Sequence, residues 1–474
     1  MENKSRDLNH ELFPMLMSSI EKFHWYDSRP SHPNFIFGRL EFKEQINPVL
    51  AEEAWRIALE RQPFAGVKPQ KVKGRWYWVA DVDAGVREAK STKGSFHYLE
   101  TDSSPEPWNF GDDESRLTTS GHLEIRAGGF KMRAPDFSDE SVEAKTLVYF
   151  AVHHAICDGA GAILVINEWL VIYANLAAER GAIDGLQRLE AGRLKTRNHL
   201  GMLRWSYWKH VLKQPVALFG AAKFIFRKSV NLTDHRDVPD GVVGRYPALA
   251  GRWVDADAVR VLGQESRRLG VTLNSIMLGR LFASLSPFLA EDKAGHEKAW
   301  LRVILPISIR GMADRRLPAA NRTTIVQLDR RTNEFALSDS FYQNLDREVR
   351  IIRGWQLDKM FLISIRLLSM FDPLLRKAAG NRKSRGTVVF TNLGEPFRQQ
   401  LKSKIPLGRE AIDQFDLVGP VREGTPLNYT VARHGDQLRV SLHYDAGVIS
   451  GKRADALLER YVSELQSGAS GENQ

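Results

Sequence analysis

The sequence predicts an α/β protein made of two similar halves, and three observations carry the prediction. The chain has 474 residues, which is long for one hydrophobic core, since cores stop growing at roughly 250–300 residues. Strand-like runs alternate with helix-period runs in both halves. Between the halves, residues 185–245 change character, and the alternation starts again near Tyr246. The expected organisation is an N-terminal subdomain over 1–184, a helical crossover over 185–245, a C-terminal subdomain over 246–467 and a disordered tail over 468–474.

In the first half, Phe35–Phe42 reads as a strand. Asn47–Gln62 reads as a helix, with Val49, Leu50, Ala54, Ile57 and Ala58 on one side. Arg75–Ala80 is aromatic-rich and strand-like, Pro105–Asp113 is a loop, and Leu123–Phe130 and Thr146–His153 are further strands. The last of these is almost wholly apolar, as a central strand covered on both faces should be. Ile163, Ile166, Trp169, Leu170, Tyr173 and Leu176 then recur at helical spacing. That helix is expected to end near Arg180–Gly181, a basic residue followed by glycine. In the second half, Arg252–Val254, Leu301–Ile309, Ile325–Leu328, Thr387–Thr391, Asn428–Ala432 and Leu438–His443 read as strands. Asp257–Leu269, Thr272–Leu285, Phe341–Trp355 and Lys452–Leu465 read as helices.

Composition narrows the function class. The chain is 43% hydrophobic and 26% charged, enough apolar material for a packed core. Its 67 basic and 57 acidic residues give a net charge of +10, which favours anionic partners such as lipid or a phosphorylated carrier. Scattered basic residues without a recognised reading motif argue against nucleic acid. The one cysteine, Cys157, excludes an intramolecular disulfide and a Cys-rich metal site. Metal-ligand spacings and glycine-rich phosphate loops are missing, so neither a metal nor a tightly bound cofactor is expected. Met1–Phe13 is polar and unlike a secretory signal, and Ala162–Ala178 is interrupted by Asn167, Glu168 and Asn175, which makes it a buried helix. The expected location is the cytoplasm, and the expected state a monomer.

Chemistry concentrates in Tyr149–Ala162, YFAVHHAICDGAGA. An apolar strand delivers His153 and His154, and alternation sends the two rings to opposite faces. One imidazole facing a cavity is a suitable general base for a hydroxyl or amine. Asp158 follows one turn later, and Gly159 opens a helix whose free N–H groups and positive end suit an oxyanion.

H-H-x-x-x-D-G resembles the signature of the superfamily that contains chloramphenicol acetyltransferase and nonribosomal peptide condensation domains. Freestanding alcohol acyltransferases and wax-ester-type synthases look similar. Weaker echoes run along the chain: Arg61-Gln62-Pro63-Phe64, Gly270-Val271-Thr272-Leu273-Asn274, Leu305-Pro306-Ile307-Ser308-Ile309-Arg310, Ala320-Asn321-Arg322-Thr323 and Thr391-Asn392-Leu393-Gly394. The resemblance implies two pseudo-symmetric subdomains with a tunnel between them. It makes His154 the catalytic base and Asp158 a structural residue paired with an arginine, for which Arg310 stands in the matching strand. It implies acyl transfer from acyl-CoA or an acyl-carrier protein to a small-molecule acceptor, an alcohol or an amine. Two departures stand out. The plant-type D-F-G-W-G motif is missing, and Gln62 replaces the usual histidine, so Gln62 and Cys157 are candidates for altered substrate preference.

Each site residue also has a structural reading. His153 is a candidate substrate-binding residue or a packing residue that orients the loop. Asp158 suits a helix N-cap as well as an ion pair. Asn321, Thr391 and Asn392 are substrate-binding candidates or loop caps. Cys157 offers a nucleophile, against the commoner role of small apolar packing. The basic-aromatic stretch Leu194–Lys228 fits a peripheral membrane contact or a solvated helix face. Two rivals to the ester-forming reading remain, an amide-forming enzyme acting on carrier-bound substrates and a non-catalytic binding module of the same fold.

Overall fold

The computed structural model describes residues 12–43, 46–80, 96–100, 124–131, 144–199, 227, 229–239, 246–290, 300–331, 338–381, 386–397 and 412–467. The expected loop Pro105–Asp113, most of the Leu194–Lys228 stretch and the expected tail 468–474 lie outside them. The chain forms two compact units. The first comprises 1–198, 310–322 and 396–420, and the second 199–309, 323–395 and 421–474.

In the first unit, β1 (Met15–Leu16), β4 (Arg75–Ala80) and β3 (Val67–Val72) form a small antiparallel sheet. The larger sheet has the order β12-β2-β7-β6-β5, from Ile412–Val418, Phe35–Phe42, Ala144–His153, Glu124–Lys131 and Phe96–Glu100. Its apolar strand β7 lies between β2 and β6, as continuous burial of Val148, Phe150, Ala151 and Val152 requires. Helices α1 (Ser19–Asp27), α2 (Pro48–Arg61) and α3 (Gly159–Ala177) complete the unit. Trp169 of α3 stacks edge-on to Phe42 and Phe150, and its Nε1–H donates 3.0 Å to the Ala51 carbonyl of α2. α3 is long and apolar enough to cross a membrane, yet 72% of that apolar window is buried inside the protein, as a core helix should be.

The second unit carries a mixed sheet in the order β10-β9-β11-β13-β14-β8. These strands are Thr323–Arg331, Trp300–Ser308, Val388–Asn392, Leu427–His434, Gln437–Tyr444 and Ala248–Val254. Its helices are α4 (Ala256–Leu269), α5 (Leu273–Ala290), α6 (Asp339–Gly354), α7 (Met360–Leu368), α8 (Asp372–Ala379) and α9 (Gly451–Gln466). Gly270 ends α4 at φ +65°, a left-handed position that glycine occupies without strain. Thr272 then starts α5, its N–H and hydroxyl both donating to Asp346 Oδ1. The core is apolar and aromatic: Phe282, Tyr342, Phe390, Tyr429 and Tyr461 are all buried within it.

Two expectations change. Division of the chain at 184 and 246 misses an interleaving, because 310–322 and 396–420 cluster with the first unit. The second of these ends in β12, which pairs with β2. Helix α3 stops at Ala177, and the left-handed residue beyond it is Glu179 at φ +54° rather than Gly181. Most of the expected helical crossover over 185–245 lies outside the described residues, and its described part holds the short 3-10 turns Ala191–Thr196 and Leu232–His235.

Gly279 lies inside α5, where a Cβ would run into the ring of Tyr342, itself 1% exposed. Gly279→Ala should therefore destabilise the protein by about 1–3 kcal/mol, despite alanine's better helix propensity. Urea unfolding of the two proteins measures this, and an unchanged or higher midpoint would contradict the packing.

Candidate active site

β7 ends at His153, which pairs across from Phe35 of β2. The His153 ring is fully buried, edge-on to Phe35 at 4.9 Å and 5.3 Å from Trp25. Its Nδ1 accepts the Ala155 N–H at 3.0 Å, which fixes the turn and puts the ring proton on Nε2. Burial, then the neighbouring His154, pushes its pKa down to about 3. The buried ring holds the loop through Nδ1.

His154 is half-buried. Its main chain is pinned on both sides: its N–H donates 2.8 Å to the Asn34 carbonyl, and its own carbonyl accepts from Asn321 Nδ2. Burial lowers the pKa of its ring, while its own carbonyl, Asp158 and Asp27 oppose the shift. Asn321 thus clamps the histidine's backbone through Nδ2.

No sequence signal marks the ring that stacks on His154. His24 of α1 stacks on it, centroids 4.1 Å apart and planes 8° from parallel. Asn34 orients this second ring, donating from Nδ2 to both His24 Nδ1 and the His24 carbonyl at 3.2 Å. His24 Nδ1 is therefore an acceptor. The helix carrying it is firmly held. Ser18 and Glu21 form a capping box. Buried Glu21 receives Arg197 Nε at 2.6 Å, Arg197 Nη2 at 2.8 Å and Trp78 Nε1 at 2.9 Å.

Asp158 is 1% exposed and caps α3, accepting the Gly161 N–H at 2.9 Å. Arg310 meets the same carboxylate with both arms, at 2.7 and 2.8 Å, and the Arg322 N–H adds a further bond at 2.7 Å. The expected pairing of Asp158 with Arg310 is present. With the Gly161 N–H committed to the cap, Gly159 and Ala160 present the remaining first-turn N–H groups. Gly161 must lack a side chain, because a Cβ would lie 2.7 Å from Cys157 Cβ and 3.3 Å from Ala320 N.

Cys157 and Gln62 are buried, and Asn392 is bonded within its own loop. Cys157 is 1% exposed, and burial and Asp158 push its thiol pKa well up, which opposes a thiolate nucleophile. Gln62 is fully buried, donating 3.0 Å to Glu168 and accepting the Ala319 N–H at 2.7 Å. Its departure from the usual histidine therefore serves packing of the 310–322 segment. Thr391 and Asn392 belong to the second unit. Asn392 Oδ1 accepts the Gly394 N–H at 2.8 Å, and its Nδ2 donates to Asn274 at 3.1 Å. Those bonds are the loop-cap role.

Two predictions follow from this geometry. Arg310→Ala should cost about 3–5 kcal/mol, because it leaves a buried carboxylate without its countercharge. Asp158→Asn should cost less, since the amide still caps α3, and denaturant melts rank the two. His24→Phe should keep the parallel stack and near-normal turnover of whatever reaction His154 serves. His24→Ala, which frees the ring, should lower kcat by about tenfold or more with the melting temperature unchanged. Equal loss in both variants would assign the effect to the lost imidazole rather than to the stack.

Neither family models nor curated proteins match this chain. Solved structures do. The first condensation domain of the calcium-dependent antibiotic synthetase, in complex with a substrate analogue, aligns with 16% identity and TM-score 0.65, covering 97% of each chain. The trichothecene 15-O-acetyltransferase of Fusarium sporotrichioides aligns with 11% identity and TM-score 0.67, covering 96% of this chain and 94% of its own. The starter condensation domain of rhizomide synthetase aligns with 14% identity and TM-score 0.62, covering 99% and 97%. Over nearly its whole length, the chain has the chloramphenicol acetyltransferase-like fold of condensation domains, an α/β fold of two subdomains.

Proposed function

We propose that this chain is an acyltransferase that moves an acyl group from a thioester donor, acyl-CoA or an acyl-carrier protein, to an alcohol or amine, with His154 as general base. One observation carries the reading. A half-buried imidazole with a lowered pKa sits on a turn fixed at both ends, directly before a helix whose N-cap aspartate is held by an arginine. Binding alone does not require this arrangement, which disfavours a non-catalytic module.

The chemistry needs no covalent enzyme intermediate. His154 takes the acceptor's proton as its oxygen or nitrogen attacks the thioester carbonyl. The new bond leaves a tetrahedral oxyanion, and N–H groups of the first turn of α3, at Gly159 and Ala160, are suited to meet it. When the carbon–sulfur bond breaks, the thiolate takes the proton back from His154. The base must be neutral to start, and a lowered pKa keeps it so below the pH at which free histidine protonates. Asp158 and Arg310 carry no proton in this scheme. They neutralise each other and hold the turn.

The experiment is release of free thiol from acyl-CoAs of several lengths and from an acyl-carrier protein, with a panel of alcohols and amines. His154→Ala should lose about 100- to 10,000-fold in acceptor-dependent release while keeping its fold. The acid limb of kcat/KM should lie below 6.5, the ordinary histidine value. Near-full activity in the variant would remove His154 as the base, and an acid limb well above 6.5 would contradict its burial.

A further inference from the structure

The bend between α7 and α8 carries an apolar surface that the chain leaves uncovered. Leu367, Met370, Phe371 and Leu374 are 50%, 73%, 63% and 49% exposed. They cluster at the end of α7, in the bend and in the first turn of α8. The helical path breaks at Phe371, which has φ −124° and ψ 95°, while turn bonds run on either side of it, Met370 N–H to the Leu367 carbonyl and Leu374 N–H to the Phe371 carbonyl. Leu362, Ile363, Ile365, Leu375 and Ala379 of the same helices are buried. The exposed apolar side chains at the bend are therefore separate from those that serve the core.

Charge says what covers the exposed cluster. From 366 to 385 the sequence holds six basic residues against one acidic, Asp372. Arg366 stands on α7 just before the exposed cluster, Arg376 and Lys377 on α8 just after it, and all three are exposed. Large apolar side chains at a bend, with cations on the helix to either side, match the layering of a bilayer surface, where phosphates overlie hydrocarbon.

We propose that the α7–α8 bend is a membrane-docking site for an anionic lipid bilayer, inserting Met370 and Phe371 and setting Arg366, Arg376 and Lys377 against lipid phosphates. This surface lies apart in sequence from the basic-aromatic stretch Leu194–Lys228, and it holds whether or not the protein transfers acyl groups.

The test is co-sedimentation of the full chain with vesicles of phosphatidylcholine alone or mixed with phosphatidylglycerol. Binding should require phosphatidylglycerol and weaken with salt. Met370→Asp with Phe371→Asp should weaken it at least tenfold. Arg376→Glu with Lys377→Glu should weaken it by about fivefold or more for each charge removed. Both pairs are exposed, so the melting temperature should not move. A Phe371→Trp variant should show fluorescence quenching by brominated lipid tails, which adsorption of a basic protein elsewhere would not produce. Vesicle binding that survives the Met370→Asp, Phe371→Asp pair, or no vesicle binding at all, overturns the proposal. Loss of a dimer in that pair, by light scattering, without vesicle binding would overturn it in favour of a second copy of this chain, and selective loss of acidic carrier-protein binding in favour of that carrier.

Discussion

A carboxylate taken out of water must have its charge met, and Asp158 is the point at which this protein meets that constraint. It is 1% exposed and receives the Gly161 N–H, both arms of Arg310 and the Arg322 N–H. Desolvating such a group without partners would cost several kcal/mol. The partners come from two distant stretches of chain, so forming the ion pair also brings residues 310–322 to the first unit. That segment connects β9 to β10, two neighbouring strands of the second unit's sheet, yet it folds with the first. Arg322 reinforces it, bonding Asp314 within the segment and the Arg197 carbonyl outside it.

The same constraint decides where the histidine stands. With Asp158 fixed, α3 has a fixed first turn, and Gly161 lets that turn approach Ala320 closely. Asn321, next in the chain, then reaches the His154 carbonyl. The segment brought in by charge thus clamps the candidate base from one side. Asn34 clamps it from the other, through the His154 N–H, and orients the stacked His24 ring as well. The candidate base is held through its backbone and ring face, with Nδ1 buried. Preorganisation of this kind lowers the cost of reaching a reactive geometry.

How much of this was readable in the sequence depends on the range over which each signal acts. The strands β2, β4, β7 and β14 and helices α2, α4 and α6 follow from periodicity, because burial of one face is a local pattern. The Asp158 cap was legible for the same reason, since its bond spans three residues. The Arg310 pairing was legible only through family resemblance, across 152 positions. His24 and Asn34 left no signal. They lie 130 and 120 residues before His154, and only the register of β2 against β7 and the docking of α1 bring them near it. Thr391 and Asn392 have a motif-like spelling, and Asn392 bonds within its own loop, the structural alternative open to it from the start.

Two neighbouring histidines on one strand end show why residue type alone does not assign chemistry. His153 and His154 share a sequence environment, but His153 ends the strand and His154 begins the turn, which gives them different neighbours. His153 meets Phe35, Trp25 and a single backbone donor, so burial holds it neutral and its proton never moves in the working range. His154 keeps some exposure, and Asp158 and Asp27 oppose the downward pull of burial on its pKa. A general base needs that balance: neutral at rest, yet able to hold a proton for part of a turnover. The carboxylate that organises the fold around Arg310 is thus also one of the charges that tune the imidazole. If Asp158 lost its arginine, the loop and the imidazole's electrostatics would change together.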